Sequence, residues 1–167
     1  TDQCYVINSF SKYFSMTGWR VGWMVVPEDH VRQIERLAQN MFICAPHASQ
    51  IAALYAMDCK DELKSNMRVY KENRKLMIKG LKEAGFSKIS SPDGAFYIYA
   101  DINKFCNDSL GFANKVLEDA KVAITPGLDF DPKNGHSTIR FSYARSTEDI
   151  IRGLEKLNIF MKNNKYI

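Results

Sequence analysis

The feature that most constrains this chain is a short polar loop set between two apolar runs. Cys4-Tyr5-Val6-Ile7-Asn8 reads as a buried strand. Residues 20–26 read as a second strand, stopped by Pro27, and Met16-Thr17-Gly18 is the turn before it. Lys12 follows the first strand, flanked by Ser9 and Ser11, with Arg20 eight residues on. Hydroxyls and a guanidinium near one lysine are the donor set a phosphate calls for. An amine held beside such a site can act as a nucleophile. A lone loop lysine is ordinarily a solvated surface group, so the residues alone leave both readings open.

A different chemistry fits the same residues. Ser9-Phe10-Ser11-Lys12 matches the Ser-x-x-Lys nucleophile motif of serine β-lactamases and penicillin-binding proteins. That reading also needs Ser-Asp-Asn and Lys-Thr-Gly downstream, and neither occurs. Composition removes further classes. The four cysteines, at 4, 44, 59 and 106, lack zinc-knuckle spacing and no histidine clusters with them, so no metal site is expected. They read as reduced thiols of a cytoplasmic protein. No apolar stretch approaches membrane-spanning length. The net charge of +4 is mild, and the basic residues of 64–82 read as a solvated helix face, so neither nucleic acid nor a membrane is an expected partner.

Beyond Pro27 the pattern predicts helices over about 28–39, 47–58 and 61–83, the last stopped by Gly85. Strands are expected at 95–101, 122–125 and 138–144, and helices at 110–120 and 147–161, with 162–165 frayed. This alternation is α/β or α+β.

The whole run Ser9-Phe10-Ser11-Lys12-Tyr13-Phe14-Ser15-Met16-Thr17-Gly18-Trp19-Arg20-Val21-Gly22 resembles the cofactor-lysine signature of class I/II (fold-type I) aminotransferases, over fourteen contiguous residues. Met16-Thr17-Gly18-Trp19-Arg20 is most similar to the aspartate aminotransferase-like subgroup. The resemblance implies that Lys12 holds pyridoxal 5'-phosphate as a Schiff base and shuttles the substrate proton. It implies that Ser9 and Arg20 bind the phosphate, with Ser11 as a secondary contact. Pro92-Asp93-Gly94-Ala95-Phe96-Tyr97 is similar to the family strand whose aromatic residue lies near the substrate, which implicates Phe96; plain core packing is the equal alternative. Residues 135–144 resemble the strand whose arginine grips the substrate α-carboxylate, which maps to Arg140. Its nearest competitor, Arg145, falls in the turn before the last helix and reads as a surface residue.

The fold so implied is α/β, the C-terminal part of a pyridoxal-phosphate-dependent transferase. Residues 1–58 would end the large cofactor-binding domain. Residues 59–167 would form the small α/β-sandwich domain, joined by the long helix. The implied activity is amino transfer between an amino acid and a 2-oxo acid, in a homodimer when intact. A carbon–sulfur lyase or cyclopropane-forming synthase of the same fold, and a non-catalytic fold or dimerisation unit, are the alternatives. The family's pyridine-nitrogen Asp, ring-oxygen Tyr and glycine-rich phosphate loop precede the lysine. The expectation is therefore that these 167 residues alone are inactive, with the first two strands exposing apolar faces and open edges.

Overall fold

The structure is a computed structural model that describes residues 3–167. It has two compact units, divided between Met67 and Arg68.

In the first unit β1 (Val6–Ser9) and β2 (Gly22–Val25) pair antiparallel, from Val6 opposite Val25 to Ser9 opposite Gly22. The strand pattern at 4–8 that reads as buried is not buried in these residues: every residue of both strands is exposed, in keeping with the expectation that the first two strands expose their apolar faces. Among the described residues this sheet has only two strands, so its apolar side chains meet no third layer. The loop between the strands does pack. Phe10, Met16 and Ala53 form a small core with Phe14, Val21, Ala52 and Ala56. Ala52, Ala53 and Ala56 lie on α2 (His47–Ala56), which follows α1 (Val31–Met41).

α3 (Lys60–Glu83) is amphipathic, and Asp61 and Glu62 in its first turn complement the helix dipole. It ends as its glycine predicts. Gly85 takes φ +90°, and the Gly85 and Phe86 amides donate to the Lys82 and Leu81 carbonyls at 3.0 and 2.9 Å. Phe86 is thereby turned into the second core, edge-on to Phe105, Phe112 and Phe141.

The second unit is built on a three-stranded antiparallel sheet in the order β3 (Tyr97–Asp101), β5 (Thr138–Ser142), β4 (Thr125–Pro126). Ile98, Ala100, Ile139 and Phe141 point to one face and join the core. α4 (Ser109–Lys115) supplies Phe112 and Ala113 to that core, and α5 (Thr147–Asn163) supplies Ile150, Leu157, Phe160 and Met161. A π-helical turn, Val116–Ala120, continues α4. Buried Asn73 of α3 donates to the Tyr143 and Arg145 carbonyls at 3.1 and 2.8 Å and accepts from Thr147 at 2.9 Å. It thus ties α3 to the segment between β5 and α5.

Two further expectations are corrected. The strand placed at 122–125 reduces to Thr125–Pro126, because Val122 and Ile124 turn onto the core and Pro126 has no amide to extend the ladder. The tail is not frayed: α5 runs to Asn163, and Tyr166 packs its ring on Phe105, Phe112 and Phe160.

Candidate functional site

The loop between β1 and β2 is closed by its own hydrogen bonds. The Phe10 amide donates to Val21 at 3.2 Å, which carries the pairing of the strands past the end of the ladder. The Ser11 amide donates to the Ser9 hydroxyl at 3.1 Å. The Thr17 hydroxyl donates to the Ser11 carbonyl at 2.9 Å, and the Arg20 guanidinium to the Thr17 carbonyl at 2.9 Å. Ser9, Ser11 and Arg20 are thus joined through Thr17 at one end of the strand pair. Lys12 lies half-buried within the same closed loop, and its carbonyl accepts from the Ser15 amide at 3.1 Å.

Two backbone features mark this loop. Arg20 and Ser15 both sit in the left-handed region, at φ 52° and 56°, where a side chain costs about 1–2 kcal/mol relative to glycine. Gly22 has no room for a Cβ, which would meet the Asn8 carbonyl oxygen at 2.6 Å. The donors fit a phosphate monoester: two hydroxyls, a guanidinium and an amine, with the amine also suited to an aldehyde carbon.

The second constellation lies in the C-terminal unit, on the sheet face opposite the core. Arg140 occupies the middle strand, directly across from Tyr99 on one side and Thr125 on the other. Its guanidinium carbon lies over the Tyr97 and Phe130 rings, 4.2 Å from each centroid. One terminal nitrogen reaches the Thr125 hydroxyl at 3.5 Å, while Nε is buried without a hydrogen-bond partner. Among the described residues no carboxylate pairs with this arginine. A half-buried cation with an orphaned donor is an arrangement that takes an anion.

Phe130 reaches Arg140 from the loop that follows β4. That loop is fastened by Asp131, whose carboxylate accepts from the Lys133 and Asn134 amides at 2.9 Å each and from the Asn134 side chain at 3.2 Å. Gly127 and Gly135 pack backbone to backbone beneath it. The Asn134 amide, above all, holds the Asp131 carboxyl below its ordinary pKa against desolvation; the Asn134 side chain, the Lys133 amide and the His136 charge act the same way. A lowered folded-state pKa stabilises the turn above the unfolded value and loses that stabilisation as pH falls through the folded one. The Asp131 carboxyl carbon, followed by NMR, should therefore titrate with a midpoint below about 3.9; a midpoint at or above that value would contradict these hydrogen bonds.

Other residues singled out in the sequence fall as follows. Phe96 is 5% exposed and packs on Tyr70 and Tyr97, so its side chain lies in the core. Arg145 is a surface residue with a side chain 77% exposed, paired with Asp149 at 3.9 Å. Tyr97, like Phe96, stood between a substrate-pocket role and core packing in the sequence, whereas Phe130 and the Asp131 turn were not legible as site residues. Asp131-Pro132-Lys133-Asn134-Gly135 is a turn signal, but nothing in it says where the preceding aromatic ring will lie.

A model of aminotransferase class I and II matches residues 1–157, and this chain belongs to that family. Valine–pyruvate aminotransferase of Mycobacterium tuberculosis is 44% identical over 158 residues, which cover 93% of this chain and 41% of the relative. Aspartate aminotransferase of Sulfurisphaera tokodaii is 32% identical over 164 residues, covering 96% and 41%. The crystal structure of a Silicibacter pomeroyi protein superposes with a TM-score of 0.90 at 67% identity, over 98% of this chain and 44% of that one. The chain thus spans about 41% of the length of these curated relatives. No described helix is long and apolar enough to cross a membrane.

Proposed function

We propose that this chain supplies the cofactor lysine, the phosphate ligands and the carboxylate arginine of a pyridoxal-phosphate-dependent aminotransferase. The enzyme moves an amino group between an amino acid and a 2-oxo acid. The observation that carries this reading is the closed loop 9–20, which gathers Ser9, Ser11, Lys12 and Arg20 in a chain of the aminotransferase family.

Ser9 and Arg20 donate to the cofactor phosphate, and Ser11 lies beside them. Lys12 holds the cofactor through Nζ. When the substrate amine takes that place, the same Nζ takes the proton from the substrate Cα and delivers it to the cofactor's C4′ rather than back to Cα, which is what makes the outcome amino transfer. Pyridoxal phosphate, when bound, supplies the sink for the electrons released at that carbon. Arg140 receives the substrate α-carboxylate through paired N–H donors and so orients the Cα–H bond. Phe96 packs edge-to-face on Tyr97 from the core and supports that ring rather than touching the substrate. In this reading residues 1–58 belong to the cofactor domain and 59–167 to the small domain. The complete enzyme is a cytoplasmic homodimer. The free cysteines agree with a reducing compartment.

The test is product analysis on the complete protein with pyridoxal phosphate. Donors are valine, aspartate and aromatic amino acids, each with pyruvate as acceptor. The expected product is alanine, formed in step with the donor's 2-oxo acid. Ammonia and sulfide released from cysteine-type substrates, with no alanine formed, would place the protein among the lyases instead. No reaction and no cofactor absorbance would leave a non-catalytic unit.

A further inference from the structure

The aromatic rings at Arg140 are used by nothing derived so far, and Phe130 in particular calls for a reason. It is 49% exposed, on a loop, outside the hydrophobic core, yet it is held over a guanidinium by a fastened turn. We propose that Phe130 and Tyr97 are positioning residues for Arg140: two ring faces that clasp its guanidinium and occupy none of its in-plane N–H donors, one of which already reaches Thr125, so that the substrate carboxylate can meet that edge. This inference rests on the reading of Arg140 as the carboxylate-binding residue.

The physical case has three parts. An arginine side chain has four soft torsions, and immobilising it on substrate binding costs conformational entropy. Rings already seated at 4.2 Å place that cost in folding, so less is lost when the substrate arrives. Second, ring faces attract the cation through their quadrupole but accept none of its in-plane hydrogen bonds. The rings therefore take none of the N–H donors: one terminal nitrogen reaches Thr125 at 3.5 Å, and the buried Nε has no partner. Third, apolar faces displace water from the guanidinium without neutralising it. No carboxylate among the described residues does so either. The charge is kept for a ligand, in surroundings where its attraction to a carboxylate is stronger than in water.

The two walls have different origins. Tyr97 is placed by sheet register, two residues from Tyr99, which faces Arg140 across the β3–β5 pair. Phe130 depends on its loop, in which the Phe130 and Asp131 amides both donate to the Gly127 carbonyl, at 2.9 and 3.0 Å. Phe130 is therefore the wall to remove without disturbing the sheet.

The experiment uses the complete protein with pyridoxal phosphate. It compares Phe130→Leu, Phe130→Tyr, Tyr97→Leu and Arg140→Ala with the unaltered enzyme. Each is assayed with an α-amino acid and with an amine that has no α-carboxylate. Phe130→Leu should raise KM for the amino acid by about three- to thirty-fold, with kcat within about twofold. The carboxylate-free amine should react at the unaltered rate, a split that a general loss of structure would not produce. Phe130→Tyr, which keeps a ring face, should recover most of the KM. Should Tyr97→Leu fail to fold, the two Phe130 variants decide alone. If Arg140→Ala raises KM but Phe130→Leu leaves it within about twofold, the clasp is wrong while the carboxylate reading stands. Equal slowing of both substrates by Phe130→Leu also overturns the clasp. If Arg140→Ala itself binds amino acids normally, the carboxylate reading fails and the inference with it.

Discussion

Lys12→Ala in the complete protein is expected to lower amino transfer by about four to six orders of magnitude, the largest effect of any single substitution here. The variant removes two functions at once: the amine that holds the cofactor and the base that moves the Cα proton. No neighbour in the loop can take over either. Ser9 and Ser11 are hydroxyls of much lower basicity, and the Arg20 side chain is a donor without an acceptor site, tied to the Thr17 carbonyl. Arginine at position 12 should not rescue, for the same reason. A complementary measurement removes any ambiguity from misfolding. Borohydride reduction of the unaltered protein with pyridoxal phosphate, followed by peptide mapping, should find the pyridoxyl group on Lys12. A label on another lysine would overturn the assignment of the loop.

The second large effect belongs to Arg140→Ala. Losing a buried bidentate partner of a carboxylate costs about 3–5 kcal/mol, so kcat/KM for an amino acid should fall by about two to four decades. Pyridoxal phosphate should remain bound, because its proposed ligands lie in the loop 9–20. Arg140→Lys should recover little: an ammonium has no planar fork to match a carboxylate, and its compact charge does not stack over rings as a guanidinium does. Loss of cofactor absorbance in Arg140→Ala, with unchanged amino acid binding, would reassign this arginine to the phosphate.

The candidate site was legible in the sequence to very different degrees. The loop around Lys12 was readable because its chemistry is contiguous: fourteen residues carry donors, turn and nucleophile together. Arg140 was readable from the run around it, but its surroundings were not. Strand periodicity says that Arg140 lies on the face opposite Ile139 and Phe141. It does not say that Thr125 and Tyr99 will flank it, because that depends on pairing between distant segments. Phe130 was the least legible. It belongs to no periodic element, and its position follows from hydrogen bonds of Asp131 and the close packing of Gly127 on Gly135.

The sequence by itself determined the family and the helix stop at Gly85, since each rests on local order along the chain. Tertiary structure alone decided burial. The apolar residues of β1 and β2 carry a core pattern, and whether it is buried depends on a neighbouring layer: no described strand or helix covers them, and they are exposed, as expected for these residues alone. The polar tail reads as loose, yet it is held because the Tyr166 ring finds three aromatic neighbours from α4, α5 and the segment between β3 and α4. Hydrophobicity is a property of each residue, whereas burial depends on what the rest of the chain brings alongside it.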